Sequence, residues 1–198
     1  VALIPYDLKS LNEKGLPVSV EPCDIRVFSN EDYSAFDIST DGCPKLGELV
    51  IGIKEPPVES IQHNQVHLAF SHTIKGQDYN MGLLQKFIDQ KATLLDYEPI
   101  VDLSGKRTIA FGRFAGIAGA IDSFFIAGQK IIALNKKSNL SKVKQTWQYD
   151  SIEEIKQEFQ SIDLSIGEPT QVIIVGSGNV GKGSEEVCKW LGLTKINI

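Results

Sequence analysis

Apolar and polar positions in the first half of the chain follow the spacing of strands joined by a helix. Residues 49–53 and 92–95 are short apolar runs. In residues 66–70, an apolar side chain at every second position lies on the same face of a strand. The segment 79–90 instead repeats its apolar residues at helical spacing. Because parallel strands need a crossover connection, this order predicts a parallel sheet with helices on its faces.

The second half of the chain shows the pattern of further helices around another strand. Residues 111–124 are rich in glycine and alanine, which favours a buried helix in very close contact with its neighbours, and we interpret it as a helix crossing between two domains. Ser151 and Glu154 have the spacing of a capping box. Residues 172–175 predict a buried strand followed by a helix, and a second strand is expected to begin at residues 195–198.

A glycine-rich loop joins the strand at 172–175 to the helix that follows. Gly176, Gly178 and Gly181 form a GxGxxG sequence in the order of strand, turn and helix that dinucleotide-binding folds use. The first glycine permits the tight turn, the second lets the backbone approach a pyrophosphate, and the third lets helix and strand pack closely. The structural alternative is a plain glycine-rich turn. The predicted residues for binding NAD or NADP are Gly176, Ser177, Gly178, Asn179, Val180 and Gly181.

Charged and polar residues follow the predicted strands of the first half at their carboxyl ends. Lys54 follows the first of these strands, and His72 with Lys75 follows the second. Glu98 follows the third. Because open α/β sheets bind ligands where the carboxyl ends of parallel strands meet, these residues should converge. Each also has a structural alternative, as a solvated lysine, a surface glutamate, or a histidine that caps a helix or lies in the core.

Composition and charge narrow the class of protein. A chain of 198 residues with 42% hydrophobic and 23% charged residues fits an ordinary soluble globular protein. A net charge of -5 argues against a nucleic-acid partner. The longest apolar stretch, 114–126, contains Asp122 and is too short to cross a bilayer, so no membrane partner is expected. Cys23, Cys43 and Cys188 form no CxxC pair, which favours a reducing compartment such as the cytoplasm, with a mitochondrial location left open, and no metal-ligand spacing is present.

The elements together predict an α/β fold with two Rossmann-like domains with parallel sheets, the second of them truncated. Residues 1–134 would form a substrate domain that includes the crossing helix. The polar segment 135–150 would be a linker, and residues 151–198 would start the NAD(P)-binding domain. Because the chain begins without Met, we expect that residues upstream of Val1 are missing.

Four segments of the chain carry a family resemblance. They are IGIKEPP at 51–57, FSHTIKGQDYNMGLL at 70–84, LLDYEPIVDLSGKRTIAFGRFAGIAG at 94–119 and VGSGNVGKG at 175–183. In this order they resemble lysine-forming saccharopine dehydrogenases, above all the lysine-ketoglutarate reductase portion of the bifunctional aminoadipic semialdehyde synthases. These enzymes share a two-domain superfamily with alanine dehydrogenases and transhydrogenase subunits. Their nucleotide domain continues well beyond the glycine-rich loop, so the resemblance implies that this chain is a fragment of a longer enzyme and does not turn over by itself. Alanine dehydrogenases normally carry an APMSE-type segment where this chain has FGRFA at 111–115, which favours the saccharopine side.

The resemblance implies reversible reductive condensation of L-lysine with 2-oxoglutarate to saccharopine, with NADH or NADPH as reductant. By motif position, Lys54 and His72 would be the catalytic acid–base pair, because the substrate amine must lose a proton to attack and the carbinolamine hydroxyl must gain one to leave. A lysine performs this near neutral pH only if its pKa falls from about 10 to about 7 or 8. Lys75, Glu98 and Arg107 match positions near the substrate. Lys75 and Arg107 would bind carboxylates, unless Arg107 merely flanks a hairpin turn.

Three functions stay open at this point. The leading one is an oxidoreductase of the saccharopine type. The second is an alanine-dehydrogenase-like enzyme acting on pyruvate and ammonia, and the third is a non-catalytic module that binds nucleotide. The choice between NAD and NADP, the physiological direction and the formation of a homo-oligomer are left open as well.

Overall fold

The computed structural model describes residues 1–38, 49–164, 171–193 and 196–197, which divide into two compact units at 1–109 and 110–198. Cys43 and the ends of the predicted second strand at Lys195 and Ile198 lie outside the described residues. Each unit has its own sheet and its own buried core.

The first unit is built around a three-stranded parallel sheet. The elements of this unit are α1 (Pro5–Glu13), β1 (Ser19–Val20), β2 (Asp37–Ile38), β3 (Leu49–Ile51), β4 (Val66–Ala69), α2 (Asp78–Asp89) and β5 (Thr93–Asp96). The strands of the sheet lie in the order β3, β4, β5, and a separate parallel pair joins β1 to β2. Helix α2 is the crossover between β4 and β5, so the predicted parallel sheet is confirmed.

The apolar face of α2 forms a small core with the chain beneath it. Leu83 and Phe87 lie buried against Ile61, as the helical spacing of apolar residues requires. His67 in β4 is only 1% exposed and meets the Phe87 ring edge to face, with 5.2 Å between the ring centroids. Its Nε2 lies 3.2 Å from Oε1 of Gln65, and burial lowers the pKa of His67. His67 therefore belongs to the core of the first unit.

In its described residues, the second unit contains three α-helices and a short parallel strand pair. Its elements are α3 (Gly112–Ala133), α4 (Ile152–Ser161), β6 (Val172–Ile173), α5 (Asn179–Trp190) and β7 (Ile196–Asn197). Strand β6 pairs with β7 in parallel, with Val172 opposite Ile196. At the start of α4, Oγ of Ser151 accepts a hydrogen bond from the backbone N–H of Glu154 at 3.1 Å. The Glu154 carboxylate accepts from the N–H of Asp150 rather than from Ser151, so only the serine half of the predicted capping box forms.

Helices α3 and α5 cross in close contact through glycine. A Cβ atom on Gly116 would lie 1.9 Å from the carbonyl oxygen of Val180, and one on Gly183 would lie 2.0 Å from that of Arg113. The hydroxyl of Ser184 donates to the carbonyl of Gly116 at 3.0 Å across the same crossing. This contact confirms the close packing predicted from the small residues of α3. It also makes α3 part of the second compact unit.

The segment predicted as a linker is packed against α3. It contains two 3-10 turns, Asn139–Lys142 and Thr146–Gln148. Leu140 is fully buried, and a Cβ atom on Gly128 would lie 2.6 Å from its carbonyl oxygen. Val143 is buried in the same core, and burial of each such side chain stabilises the segment by about 1.5–3 kcal/mol. The functional division at residues 134 and 150 stays a prediction.

Helix α3 is longer than the sequence pattern predicts. It has 22 residues, and an 18-residue window reaches a mean hydropathy of 1.2, so its length and composition would suffice to cross a membrane. The argument from length at 114–126 therefore does not hold, since the helix continues to Ala133. Ile117, Ile121 and Phe124 lie in the hydrophobic core of the second unit, which explains why the helix is apolar.

Candidate active site

The backbone brings the ends of β3, β4 and β5 side by side. Beyond β4, the N–H of Phe70 donates to the carbonyl of Ile53 at 3.0 Å, and the N–H of Tyr97 donates to the carbonyl of Ala69 at 3.2 Å. Strand pairing thus continues past the regular strands, up to the residues that precede the predicted site. Since Lys54 follows Ile53 directly, its backbone lies at the same edge of the sheet as these later residues.

Glu98 is the centre of the polar cluster at this edge. Its Oε2 lies 3.0 Å from Nδ1 of His72, and its Oε1 lies 3.4 Å from Nζ of Lys75 and 3.9 Å from a guanidinium nitrogen of Arg107. The Glu98 side chain is 18% exposed. Its hydrogen bond with His72, reinforced by Lys75, lowers the pKa of the Glu98 carboxyl against the opposing effect of burial. Glu98 is therefore held in the ionised form.

The imidazole of His72 has charged neighbours on both of its nitrogens. Nδ1 lies 3.0 Å from Glu98 and 3.1 Å from Nζ of Lys75, and Nε2 lies 3.9 Å from Oε1 of Glu55. An Nδ1–H can donate to Glu98, whereas a bare Nδ1 can accept from Lys75. Both proton states of Nδ1 therefore have a partner, which suits a group that exchanges protons.

The backbone of His72 adopts an unusual conformation. Its φ of 56° is left-handed, a region that His enters more readily than most residues but at a cost of about 1–3 kcal/mol. A 3-10 turn, Thr73–Lys75, follows and ends at Gly76, whose φ is 61°. The His72 ring stacks on Phe70, with 6.3 Å between centroids and an angle of 22° between planes. Turn and stack together aim the imidazole at Glu98.

Arg107 reaches the cluster from a hairpin turn. Val101 and Arg107 form an antiparallel bridge, and the N–H of Asp102 donates to the carbonyl of Lys106 at 2.8 Å within the turn. Arg107 thus does flank a hairpin, but its guanidinium carbon also lies 5.9 Å from the ring centroid of Phe70. The hairpin is what carries Arg107 back to the carboxyl edge of the sheet.

Four of the five predicted residues in the first unit form one connected cluster, and Lys54 lies beside it. The Lys54 side chain is exposed, and within the described part of the chain its ammonium makes no hydrogen bond or ion pair. The sequence interpretation left out Ser71 and Asp96, which tie the ends of β4 and β5 together by hydrogen bonds. The sequence signal that could have identified Asp96 is its place at the last position of a strand, two residues before Glu98.

The glycine-rich loop of the second unit has the geometry that the motif requires. Gly176 has a φ of 105°, which side-chain-bearing residues rarely adopt. A Cβ atom on Gly181 would lie 1.9 Å from the carbonyl oxygen of Gly176, so the third glycine permits the close approach of helix and loop. Gly178 precedes the first residue of α5 and has open space around its Cα. Residues 176–180 are exposed at this helix N-terminus, so they fit a dinucleotide pyrophosphate.

Among the described residues, no cluster of three or more His, Cys, Asp or Glu side chains has the arrangement of a metal site.

The curated proteins that this chain resembles include alpha-aminoadipic semialdehyde synthases and saccharopine dehydrogenases. The mitochondrial alpha-aminoadipic semialdehyde synthase of Bos taurus is 32% identical over 200 residues, covering 93% of this chain and 21% of that protein. The synthase of Arabidopsis thaliana is 36% identical over 189 residues, covering 90% of this chain and 18% of that protein. Saccharopine dehydrogenase (NAD(+), L-lysine-forming) of Emericella nidulans is 25% identical over 209 residues, covering 100% of this chain and 54% of that protein. The chain thus spans about a fifth of the synthases and about half of the dehydrogenase.

Comparison with solved structures confirms the fold. An L-alanine dehydrogenase superposes with a TM-score of 0.64 at 18% identity, covering 99% of this chain and 50% of that chain. The transhydrogenase from Sinorhizobium meliloti superposes with a TM-score of 0.55 at 12% identity, covering 100% of this chain and 60% of that chain. Residues 1–118 match the family described as alanine dehydrogenase/PNT, N-terminal domain. With more than half of its 198 residues inside that match, the chain belongs to the alanine dehydrogenase/PNT family.

Proposed function

We propose that this chain is part of an NAD(P)-dependent oxidoreductase that condenses L-lysine reductively with 2-oxoglutarate to saccharopine, or catalyses the reverse reaction. The observation that carries the proposal is the cluster of His72, Lys75, Glu98 and Arg107 at the carboxyl edge of the parallel sheet, with Lys54 on the adjoining strand end. A histidine held by a carboxylate suits proton transfer, and two cations suit substrates with several carboxylates. The similarity to the L-lysine-forming saccharopine dehydrogenase of Emericella nidulans supports the same reaction.

His72 is the proposed general acid and base. With its Nδ1–H donated to Glu98, the proton-exchanging nitrogen is Nε2, and the ionised carboxylate stabilises the imidazolium that forms when Nε2 takes up a proton. In the condensing direction, Nε2–H would deliver its proton to the carbinolamine hydroxyl, which leaves as water. In the opposite direction Nε2 would remove a proton from the attacking water.

Lys54 is the proposed partner of His72 in the proton transfers. In the condensing direction it would accept the proton that the ε-ammonium of the substrate lysine loses before attack on the 2-oxo carbon. Its position after β3, at the same edge as His72, supports this role, and its exposed side chain is available to a substrate. Lys54 and His72 would thus act on different protons of the same condensation.

Lys75 and Arg107 are the proposed carboxylate-binding residues. Their side chains are 46% and 45% exposed, and they contact Glu98 only at 3.4 and 3.9 Å. Such long and partly exposed contacts contribute about 1 kcal/mol or less, so a substrate carboxylate can compete for both cations. Arg107 can bind a carboxylate through two parallel N–H donors, whereas Lys75 acts as a point charge.

Gly176, Gly178 and the first turn of α5 are proposed to hold the pyrophosphate of NAD or NADP. The open space at Gly178 and the exposed N-terminus of α5 support this assignment. The nicotinamide ring supplies hydride transfer when it is bound. The residues of the first unit contribute binding, orientation and proton transfer.

The test is the oxidation of reduced nicotinamide by the full-length protein, with L-lysine and 2-oxoglutarate in one reaction and pyruvate and ammonia in another. Lys54→Met and His72→Asn should each lower kcat with the first pair at least about a hundredfold, as expected for lost acid–base catalysis. Asparagine is chosen because it also tolerates the left-handed backbone of residue 72. Lys9→Met, at an exposed position of α1, is the matched control and should leave kcat unchanged.

The two substrate pairs separate the three hypotheses. Turnover with lysine and 2-oxoglutarate alone supports the proposal. Turnover with pyruvate and ammonia would instead assign the protein to alanine-dehydrogenase chemistry. If neither pair is turned over while reduced nicotinamide still binds, a nucleotide-binding module is the remaining function.

A further inference from the structure

We propose that Asp96 and Ser71 are positioning residues that set the geometry of the His72–Glu98 pair. The inference rests on the proposed role of His72 in proton transfer. Ser71 is buried and Asp96 is half-buried. Both would affect the reaction by fixing the backbone around His72 and Glu98, without touching a substrate. The proposal predicts that removing either of them changes the behaviour of the His72 imidazole.

The Asp96 carboxylate joins the two segments that carry His72 and Glu98. Its Oδ2 accepts from the backbone N–H of Ser71 at 3.2 Å and also from the Ser71 hydroxyl. Its Oδ1 accepts from the backbone N–H of Glu98 at 2.7 Å. One carboxylate therefore anchors the residue before His72 and also the backbone of Glu98. This arrangement follows from the register, in which Ala69 lies opposite Asp96.

Ser71 holds the turn at His72 through several more bonds. Its side chain is fully buried, and its Oγ lies 2.8 Å from Oγ1 of Thr73 and accepts from the N–H of Thr73 at 3.2 Å. Its carbonyl accepts from the side-chain amide of Asn80 at 3.3 Å, and Asn80 is itself only 4% exposed. These hydrogen bonds thus hold both neighbours of His72, namely Ser71 and Thr73.

These bonds explain how His72 keeps its left-handed backbone. A non-glycine residue with a φ of 56° persists only where the surrounding structure holds it there. The anchored residues on either side supply that constraint, and without them the turn can relax toward an ordinary conformation. Relaxation would lengthen the 3.0 Å contact between Nδ1 and Glu98, because the side chains move with their backbones. A displacement of about 1 Å in a catalytic group can cost about a hundredfold in rate.

The decisive experiment compares Ser71→Ala and Asp96→Asn in the full-length protein. Ser71→Ala removes the hydroxyl but no charge, so any change at His72 reports geometry. Asp96→Asn keeps the shape, but its amide has a single acceptor oxygen and cannot serve both Ser71 and Glu98. Asp32→Asn is the matched control, because Asp32 accepts from the N–H and Oγ of Ser29 at 2.7 and 2.9 Å, away from the cluster.

The first readout is the NMR resonance of the His72 Nδ1–H, which reports the contact with Glu98 and is assigned from its loss in His72→Asn. The charged groups that face His72 are Glu55, Lys75 and Glu98, with Arg107 behind Glu98. Because the resonance of a charge-assisted hydrogen bond depends on its length, a longer contact with Glu98 should move it in both variants. We expect the resonance to move in Ser71→Ala and to stay in place in Asp32→Asn.

The second readout is steady-state kinetics with L-lysine and 2-oxoglutarate. We expect kcat to fall about tenfold to a hundredfold in both variants. KM should rise as well, because Lys75 lies in the same turn as His72 and moves with it. A His72 resonance that matches the wild type in Ser71→Ala would overturn the inference, even if the variant is less stable. The NMR readout needs no turnover, so failure of the proposed reaction is visible separately, as a wild-type protein inactive with these substrates.

Discussion

The crossing of α3 and α5 offers a stability test with a control on the same helix. Gly116→Ala places a Cβ atom 1.9 Å from the carbonyl oxygen of Val180, where ordinary contact needs about 3.3 Å or more. The obstruction is backbone rather than a flexible side chain, so it can be relieved only if the helices move apart by about 1.4 Å. Gly119→Ala, one turn further along α3, meets nothing within 4 Å.

The two substitutions are expected to change the free energy of unfolding in opposite directions. Overpacking costs about 1–3 kcal/mol, and backbone contact puts Gly116→Ala at the upper end, while alanine regains about 1 kcal/mol of helix propensity. The net loss is therefore about 2 kcal/mol, which corresponds to a Tm about 4–8 °C lower for a protein of this size. Gly119→Ala should raise stability by about 0.5–1 kcal/mol through the same propensity.

The assay is thermal unfolding of both variants beside the wild type, followed by circular dichroism. Gly116→Ala should also weaken the binding of reduced nicotinamide, measured by its fluorescence, because Val180 lies in the first turn of α5 next to the glycine-rich loop. If Gly116→Ala is as stable as Gly119→Ala, the close crossing of the two helices is wrong. If only nucleotide binding changes, the packing argument fails while the loop assignment survives.

Two further predictions concern stability. Burial lowers the pKa of His67, so the folded protein binds a proton at this residue less readily than the unfolded chain does. The contribution of His67 to the free energy of unfolding is therefore complete above the unfolded pKa of about 6.5, and it declines as the pH falls below that value. Urea unfolding at several pH values should show this decline in the wild type and a smaller one in His67→Gln, and equal slopes would contradict it. Ser151→Ala should lower stability by about 1 kcal/mol through loss of the N-cap bond to Glu154, and an unchanged urea midpoint would show that the cap contributes nothing.

Much of the candidate site could be predicted because parallel strands converge at one edge. His72, Lys75 and Glu98 follow consecutive strands of one sheet, and the structure brings them together around Glu98. The glycine-rich loop was predictable for a similar reason, since Gly176 and Gly181 meet local backbone requirements that the motif already states.

The missed features depend on contacts between distant parts of the chain. Leu140 sits in a polar run whose composition resembles a linker, and only its burial against α3 shows that it anchors the segment. Helix α3 continues past the segment predicted as helical, and Gly128 in its later part is buried against Leu140. No local pattern distinguishes these cases from a free loop or a shorter helix.

The amino-acid sequence by itself determined the order of strands and helices, the glycine-rich loop and the charged residues at the strand ends, because each depends on periodicity or on nearby residues. Only the tertiary structure decided that Asp96 reaches back to Ser71, that Glu98 joins His72 to two cations, and that Lys54 stands apart from them. These contacts depend on strand register and on the course of the turns after each strand. Register is set by the packing of the whole sheet, since a shift of one residue would turn every side chain to the other face.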